Sequence, residues 1–392
     1  RFGVALDEED PKGKVESSDQ SKNAENSRSK TTNKNSKSIQ KKASSSGTTD
    51  GMNQGAIFRD DGAFEASGFL ICRSGITDFP AALERRLSSG ASTDGVARSP
   101  HSIVHIGSLD ELRMVKNIGM GASGRVYLAE LASSSSTKTE RLAVKVVNVY
   151  DEPKRNQLMK ELETLSTYIS RYLVRFYGAF YDGTGFVHIA LEYMDCGALS
   201  DIIAEFGALP EAIVQHIAFH CVLGLRFLHR SHVLHRDFKT ANILVSQKAN
   251  RVKLSDFGLA RDLELGVSKA DTFVGTLAYM SPERLHGSQY TYEGDIWGLG
   301  VCLAECLLGR YPFEKPQSFF DYLDATMTEN LLPRGKFTKE CEDFVRKCAN
   351  VDPRRRPRTD ALLQHPWLAS CPRDNEFREW IDKIVEERNK RV

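Results

Sequence analysis

One stretch constrains this chain more than any other: His235-Arg236-Asp237-Phe238-Lys239-Thr240-Ala241-Asn242, with Asp256-Phe257-Gly258 beginning fourteen residues after Asn242. It places a carboxylate able to act as a base, a cation and two oxygen donors for a metal ion within one short span. Strand-like apolar residues flank both motifs. Taken singly, each polar residue reads as a surface or capping group; their joint order and spacing overturn that default. The set suits transfer of a phosphoryl group to a hydroxyl, a reaction in which positioning and electrostatics do most of the work.

The 392 residues suffice for one large domain with extensions, and a formal net charge of +1 gives no global pull toward nucleic acid or membrane. The longest apolar stretch, Ile296 to Leu308, is too short to span a bilayer and reads as a buried helix. No N-terminal apolar run resembles a signal peptide, although the chain begins at Arg1 and an upstream signal is left open. Eight cysteines include no C-x-x-C pair; Cys302 and Cys306, one helical turn apart, read as core thiols in a reducing compartment. A cytoplasmic location is expected, and a nuclear one also.

Residues 1–65 are rich in Ser, Lys, Asn, Asp and Gly, and are expected to be disordered because they carry too little apolar surface to offset ordering. The basic run Lys34 to Lys42 reads as solvated; as a docking peptide it lacks the trailing alternating apolar residues. Residues 66–108 read as a linker. Within it Phe69 to Phe79, with Gly75 as a turn, fits a short hairpin or a loose connection equally. The folded domain is expected over 109–369, mainly helical after about Leu199, and residues 370–392 carry Phe377, Trp380, Ile381 and Ile384 at helical spacing.

Ile118-Gly119-Met120-Gly121-Ala122-Ser123-Gly124-Arg125-Val126 is a glycine pattern whose backbone can approach phosphate oxygens without Cβ clashes. A dinucleotide fold would place a helix next; here Val126-Tyr127-Leu128 continues as a strand. A second strand contains Lys145, apolar on both sides. Asn156 to Thr167 reads as a helix with Leu158, Leu162 and Leu165 on one face, and offers Glu161 as a partner for Lys145, with Glu163 as the rival.

These motifs together resemble the protein kinase signature. The resemblance implies an α+β two-lobed fold: an N-lobe of antiparallel sheet plus one helix over 109–193, and a mainly helical C-lobe over 197–369. It implies ATP and Mg²⁺ as cofactors. Asp237 would be the base, Lys239 would neutralise charge on the moving phosphoryl, and Asn242 and Asp256 would hold the metal. Lys145, paired with Glu161, would reach the phosphates. Ile118, Gly119, Gly121, Gly124, Val126, Ala143 and Leu244 would line the nucleotide site. Leu191 would gate it, and backbone groups of Glu192 and Met194 would meet adenine. His235 and Phe257 would pack in a spine with Leu165 and Phe176, Gly258 would close the metal motif, Asp295 would anchor the catalytic loop, and Glu283 would pair with Arg356.

The run from Gly266 to Leu285, which includes Ser268, Thr272 and Phe273-Val274-Gly275-Thr276-Leu277-Ala278-Tyr279-Met280-Ser281-Pro282-Glu283, resembles the activation segment of the MAP kinase kinases. This implies phosphorylation at Ser268 and Thr272, with Arg236 poised to pair with a phosphate. It also implies an upstream MAP kinase kinase kinase, and a downstream MAP kinase as substrate. Thr240 stands where the family pattern has proline, a change expected to alter loop stiffness more than chemistry. The 370–392 stripe is expected to pack on the C-lobe and also to dock the upstream kinase. The competing readings are a MAP kinase kinase kinase-like enzyme and a pseudokinase scaffold; the second would lack Lys145, Asp237 or Asp256, and all three are present.

Overall fold

Ser67 and Gly68 both take left-handed backbone angles, φ 49° and 79°, the geometry of a two-residue hairpin turn. They sit in an antiparallel sheet of four short strands in chain order, β1 (Ile57–Phe58), β2 (Phe64–Ala66), β3 (Phe69–Cys72) and β4 (Gly75–Asp78). The structure is a computed structural model that describes residues 56–80, 106–121, 124–131, 139–257, 278–313, 319–328, 330–371 and 374–391.

This sheet corrects one expectation and decides another. The stretch read as disordered ends in strands from Ile57 onward, and of the two readings of Phe69 to Phe79 the structure takes the hairpin, β3 paired with β4, within a larger sheet. Composition averaged over 65 residues hid Phe58 and Phe64. Phe64, Ala66, Phe69 and Ile71 alternate inward into the core. Phe58 lies 4.9 Å from the Tyr150 ring and Phe64 lies 5.7 Å from Tyr181. The Arg73 carbonyl accepts from Leu109 N at 2.9 Å, and its guanidinium meets Asp110 at 3.0 Å. The sheet is thereby fastened to the start of the main domain.

Strands β5 (Leu112–Gly121), β6 (Gly124–Leu131), β7 (Glu140–Asn148), β8 (Phe176–Tyr181) and β9 (Phe186–Glu192) form an antiparallel sheet ordered β5-β6-β7-β9-β8. Strand β4 lies against β8. Alternation along β7 sends Leu142 and Val144 to one core and Lys145 and Val147 to the opposite face. That face meets helix α1 (Glu152–Thr167). The helix begins four residues before Asn156, because Asp151 caps it through Lys154 N at 3.2 Å and Pro153 is tolerated in a first turn.

The remainder is mainly helical. A small sheet of β10 (Gly197–Ala198), β11 (Ile243–Ser246) and β12 (Arg251–Leu254) carries the loop between His235 and Asp256. Helices α2 (Leu199–Phe206) and α3 (Glu211–Arg230) pack on it, α4 (Tyr292–Leu308) and α6 (Asp374–Lys390) pack on α3, and α5 (Lys339–Cys348) packs on α4. By length and composition α3 is apolar enough to cross a membrane, a feature overlooked beside Ile296–Leu308, yet 67% of its apolar window is buried in protein. A Cβ at Gly298 of α4 would stand 2.9 Å from the Phe238 carbonyl, so glycine permits that helix to approach the loop. On α6, Phe377, Ile381 and Ile384 are buried, with Phe377 stacked on His216 at 4.2 Å. All eight cysteines are free.

Candidate active site

Asp295, fully buried on α4, organises the site from beneath. It accepts four hydrogen bonds: from His235 N at 2.9 Å, Arg236 N at 3.0 Å, His229 Nε2 at 2.8 Å and the Tyr290 hydroxyl at 2.7 Å. Burial raises its pKa, but the hydrogen bond and charge of His229 overcome this and hold the carboxyl below its ordinary value. Arg236 takes φ 69°, a conformation that costs an L-residue about 1–2 kcal/mol; the bond from its amide to Asp295 helps to hold it. His235 is fully buried, and desolvation lowers its pKa, which keeps it neutral. Its ring stands 5.2 Å from Phe238. Phe257 and Leu165 are buried in the same core, and Phe176 packs against it.

Above this base lies a polar cluster. Lys239 Nζ is 2.7 Å from Asp237 Oδ2, and Asn242 Nδ2 donates to the same oxygen at 3.1 Å and to the Asp237 carbonyl at 2.8 Å. The Asn242 carbonyl in turn accepts from Ser255 N at 2.9 Å, joining the loop to the chain ahead of Asp256.

The second cluster centres on Lys145. Its Nζ is 2.7 Å from Glu161 Oε1 and 3.0 Å from Asp256 Oδ1. Burial would lower the Lys145 pKa, but the two carboxylates outweigh it and raise the value, keeping the ammonium charged. The Lys145 charge holds Asp256 below the usual carboxylate range, and burial raises Glu161 against the pull of Lys145. The rival Glu163 lines a separate cavity of about 600 Å³, with Arg236, Tyr290 and Arg358.

Nucleotide-site candidates follow from the strand register. Val126 pairs with Lys145, and Ala143 pairs with both Leu128 and Leu191. Val126, Ala143, Leu191 and Leu244 stay partly exposed while Leu128, Val144 and Val245 are buried. In the glycine hairpin, Gly119 faces Val126 and Gly121 faces Gly124, with Ile118 exposed. A Cβ at Gly124 would fall 2.1 Å from the Val146 carbonyl, so only glycine fits there. The Glu192 amide donates to the Arg175 carbonyl at 2.8 Å, so a nucleotide would meet its carbonyl instead; Met194, buried, accepts from Gly197 N at 3.0 Å. Gly258, Ser268 and Thr272 lie outside the described residues.

Arg356 makes a two-point bridge to Glu283 at 2.7 and 2.8 Å and stacks on Trp297 at 5.0 Å. Sequence reasoning missed His229 and Tyr290, which carry no local signal of partnership with Asp295. It also missed Lys253, whose Nζ binds Glu192 at 2.6 Å; its apolar flanks, like those of Lys145, were a usable cue.

Residues 112–368 match the family described as protein kinase domain. Mitogen-activated protein kinase kinase 1c of Physcomitrium patens is 36% identical over 290 residues, covering 71% of this chain and 81% of that protein. This chain belongs to the MAP kinase kinase family of protein kinases. The dual specificity mitogen-activated protein kinase kinase 1 of Dictyostelium discoideum is 40% identical over 233 residues, 58% of this chain and 34% of its own length. The MAP kinase kinase PBS2 of Saccharomyces cerevisiae is 36% identical over 341 residues, 83% and 49% respectively. Membership implies that this kinase uses ATP with a divalent metal. Asn242 and Asp256 offer hard oxygen donors that fit such an ion, and the Asp256 side chain keeps 40% exposure despite its bond to Lys145.

Proposed function

We propose that this kinase transfers the γ-phosphoryl group of ATP to the Thr and Tyr of a MAP kinase activation loop, with Mg²⁺ as the metal. The observation that carries the catalytic part is the joined set Lys145–Glu161–Asp256, both carboxylates within hydrogen-bond distance of the Lys145 ammonium. Asn242 and Asp256 would hold Mg²⁺, whose charge would offset that of the phosphate oxygens. Asp237 takes or orients the acceptor hydroxyl proton at its carboxylate. Lys239, already 2.7 Å from that carboxylate, faces charge developing on the phosphoryl oxygens. Lys145, kept charged by two carboxylates, positions the phosphates.

Activation by an upstream MAP kinase kinase kinase at Ser268 and Thr272 belongs to the same proposal. Arg236 supports it: exposed, with no ion-pair partner among the described residues, it is free to receive a phosphate. Docking of that upstream kinase on 370–392 would use the outward face of α6, Glu376, Glu379, Lys383 and Glu386, since the apolar stripe is spent on the C-lobe. A cytoplasmic location, and also a nuclear one, belongs to the same proposal; the eight free cysteines fit a reducing compartment.

ATP turnover with Mg²⁺, abolished by Asp237→Asn, separates an enzyme from a scaffold. Mapping the residues phosphorylated on a kinase-dead MAP kinase tests the substrate. Label on both Thr and Tyr supports the proposal. Label on generic Ser/Thr peptides only returns the MAP kinase kinase kinase-like alternative.

A further inference from the structure

Thr240 Oγ1 lies 3.0 Å from the Tyr279 hydroxyl and donates to Glu305 Oε2 at 3.1 Å, while Tyr279 donates to the same oxygen at 2.6 Å. The three residues come from the catalytic loop, the strip ahead of Ser281 and helix α4. Thr240 is 1% exposed. Two further hydroxyls hold the strip: Tyr311 and Tyr322 both donate to the Ala278 carbonyl, the latter at 2.7 Å, and Tyr322 reaches the Met280 carbonyl at 3.3 Å. Proline, the residue of the family pattern at position 240, has no hydroxyl and cannot enter this network. The expected change in loop stiffness is therefore joined by a specific bond to a carboxylate.

Ala278, Tyr279 and Met280 each keep a partly exposed surface. Thr240 directly follows Lys239, which touches Asp237, whereas the nucleotide candidates lie toward Lys145 and Asp256. We infer that Thr240 is a positioning residue that locks the 278–280 strip to the catalytic loop and so sets how the protein acceptor presents its hydroxyl to Asp237. This rests on the phosphoryl-transfer reading above. Burial raises the pKa of both Tyr279 and Glu305, which keeps the Tyr279 hydroxyl available as a donor.

Steady-state kinetics on Thr240→Val, Thr240→Ser and Thr240→Pro test the inference. Thr240→Val keeps the shape and loses the hydroxyl. It is expected to raise KM for the protein acceptor about tenfold, the scale of a lost hydrogen bond to a charged group, and to leave KM for ATP within about twofold. Thr240→Ser restores the wild-type value, and Thr240→Pro behaves as Thr240→Val. An unchanged acceptor KM, or equal rises for acceptor and ATP, overturns the inference. Should Thr240→Val not fold, Tyr279→Phe removes the same shared contact and is expected to give the same acceptor-specific rise. The assay uses whichever protein the wild-type enzyme phosphorylates. A wild type active on a generic acceptor but on no MAP kinase removes the substrate reading and still measures the role of Thr240.

Discussion

The buried ammonium of Lys145 lies 2.7 Å from the carboxylate of Glu161, sixteen residues onward and on a different element. Strand alternation turns Lys145 toward α1, and the face of α1 that buries Leu158, Leu162 and Leu165 also presents Glu161. Glu161→Gln removes the charge that orients Lys145 while Asp256 still holds it. We expect kcat/KM for ATP to fall about 100-fold, the cost of a small misplacement at a reacting centre. Initial rates against ATP concentration check this; a wild-type kcat/KM contradicts it.

Asp295 accepts four hydrogen bonds with no exposure to water. Asp295→Ala leaves His235 and Arg236 amides, a histidine and a tyrosine unpartnered. We expect a stability loss of roughly 3–5 kcal/mol, in the range for breaking a buried charged network. Urea denaturation followed by circular dichroism measures it, and a loss below about 1 kcal/mol, the value of a single ordinary hydrogen bond, contradicts the anchoring role.

How much of this was legible beforehand differs by region. The catalytic loop could be read because Asp237, Lys239, Asn242 and Asp256 keep a fixed spacing along one stretch of chain. Helical periodicity outlined the element that carries Glu161, and resemblance to the kinase pattern chose Glu161 over Glu163. Partners brought from distant chain positions could not: His229 and Tyr290 reach Asp295, and Glu305 reaches Thr240, only once α4 packs under the loop. The β1–β4 sheet was lost for another reason. Its strands are two to four residues long and are stabilised by packing on β8 and Tyr150, so local composition carried little of the signal.

That sheet should matter energetically. Phe64 is fully buried beside Tyr181. Phe64→Ala is expected to cost about 3–5 kcal/mol, as large-to-small changes in a packed core do. Chemical denaturation reads the shift; an unchanged midpoint would mean that the sheet is not part of the cooperative unit.

His220 gives a pH signature. Burial first, then the neighbouring His216, Arg251 and Arg171, push its pKa down to about 3. The unfolded chain takes up that proton near pH ~6.5, the folded chain only near the lowered value. The contribution of His220 is therefore present above the unfolded pKa and is lost as pH falls from about 6.5 toward 3, at most about 1.4 kcal/mol per pH unit. His220 also lies 4.5 Å from His216, which stacks on Phe377 of α6. Melting temperatures at pH 7.5 and 5.5 should drop less for His220→Gln than for wild type; equal drops contradict the assignment.

The most direct test of the central claim is phosphosite mapping on a kinase-dead MAP kinase incubated with ATP, Mg²⁺ and either the wild-type chain, activated by its upstream kinase, or Asp237→Asn. Label on both the Thr and the Tyr of the MAP kinase activation loop with wild type, and on neither with Asp237→Asn, is the predicted result. Label that persists with Asp237→Asn, or that never reaches the Tyr, would contradict it.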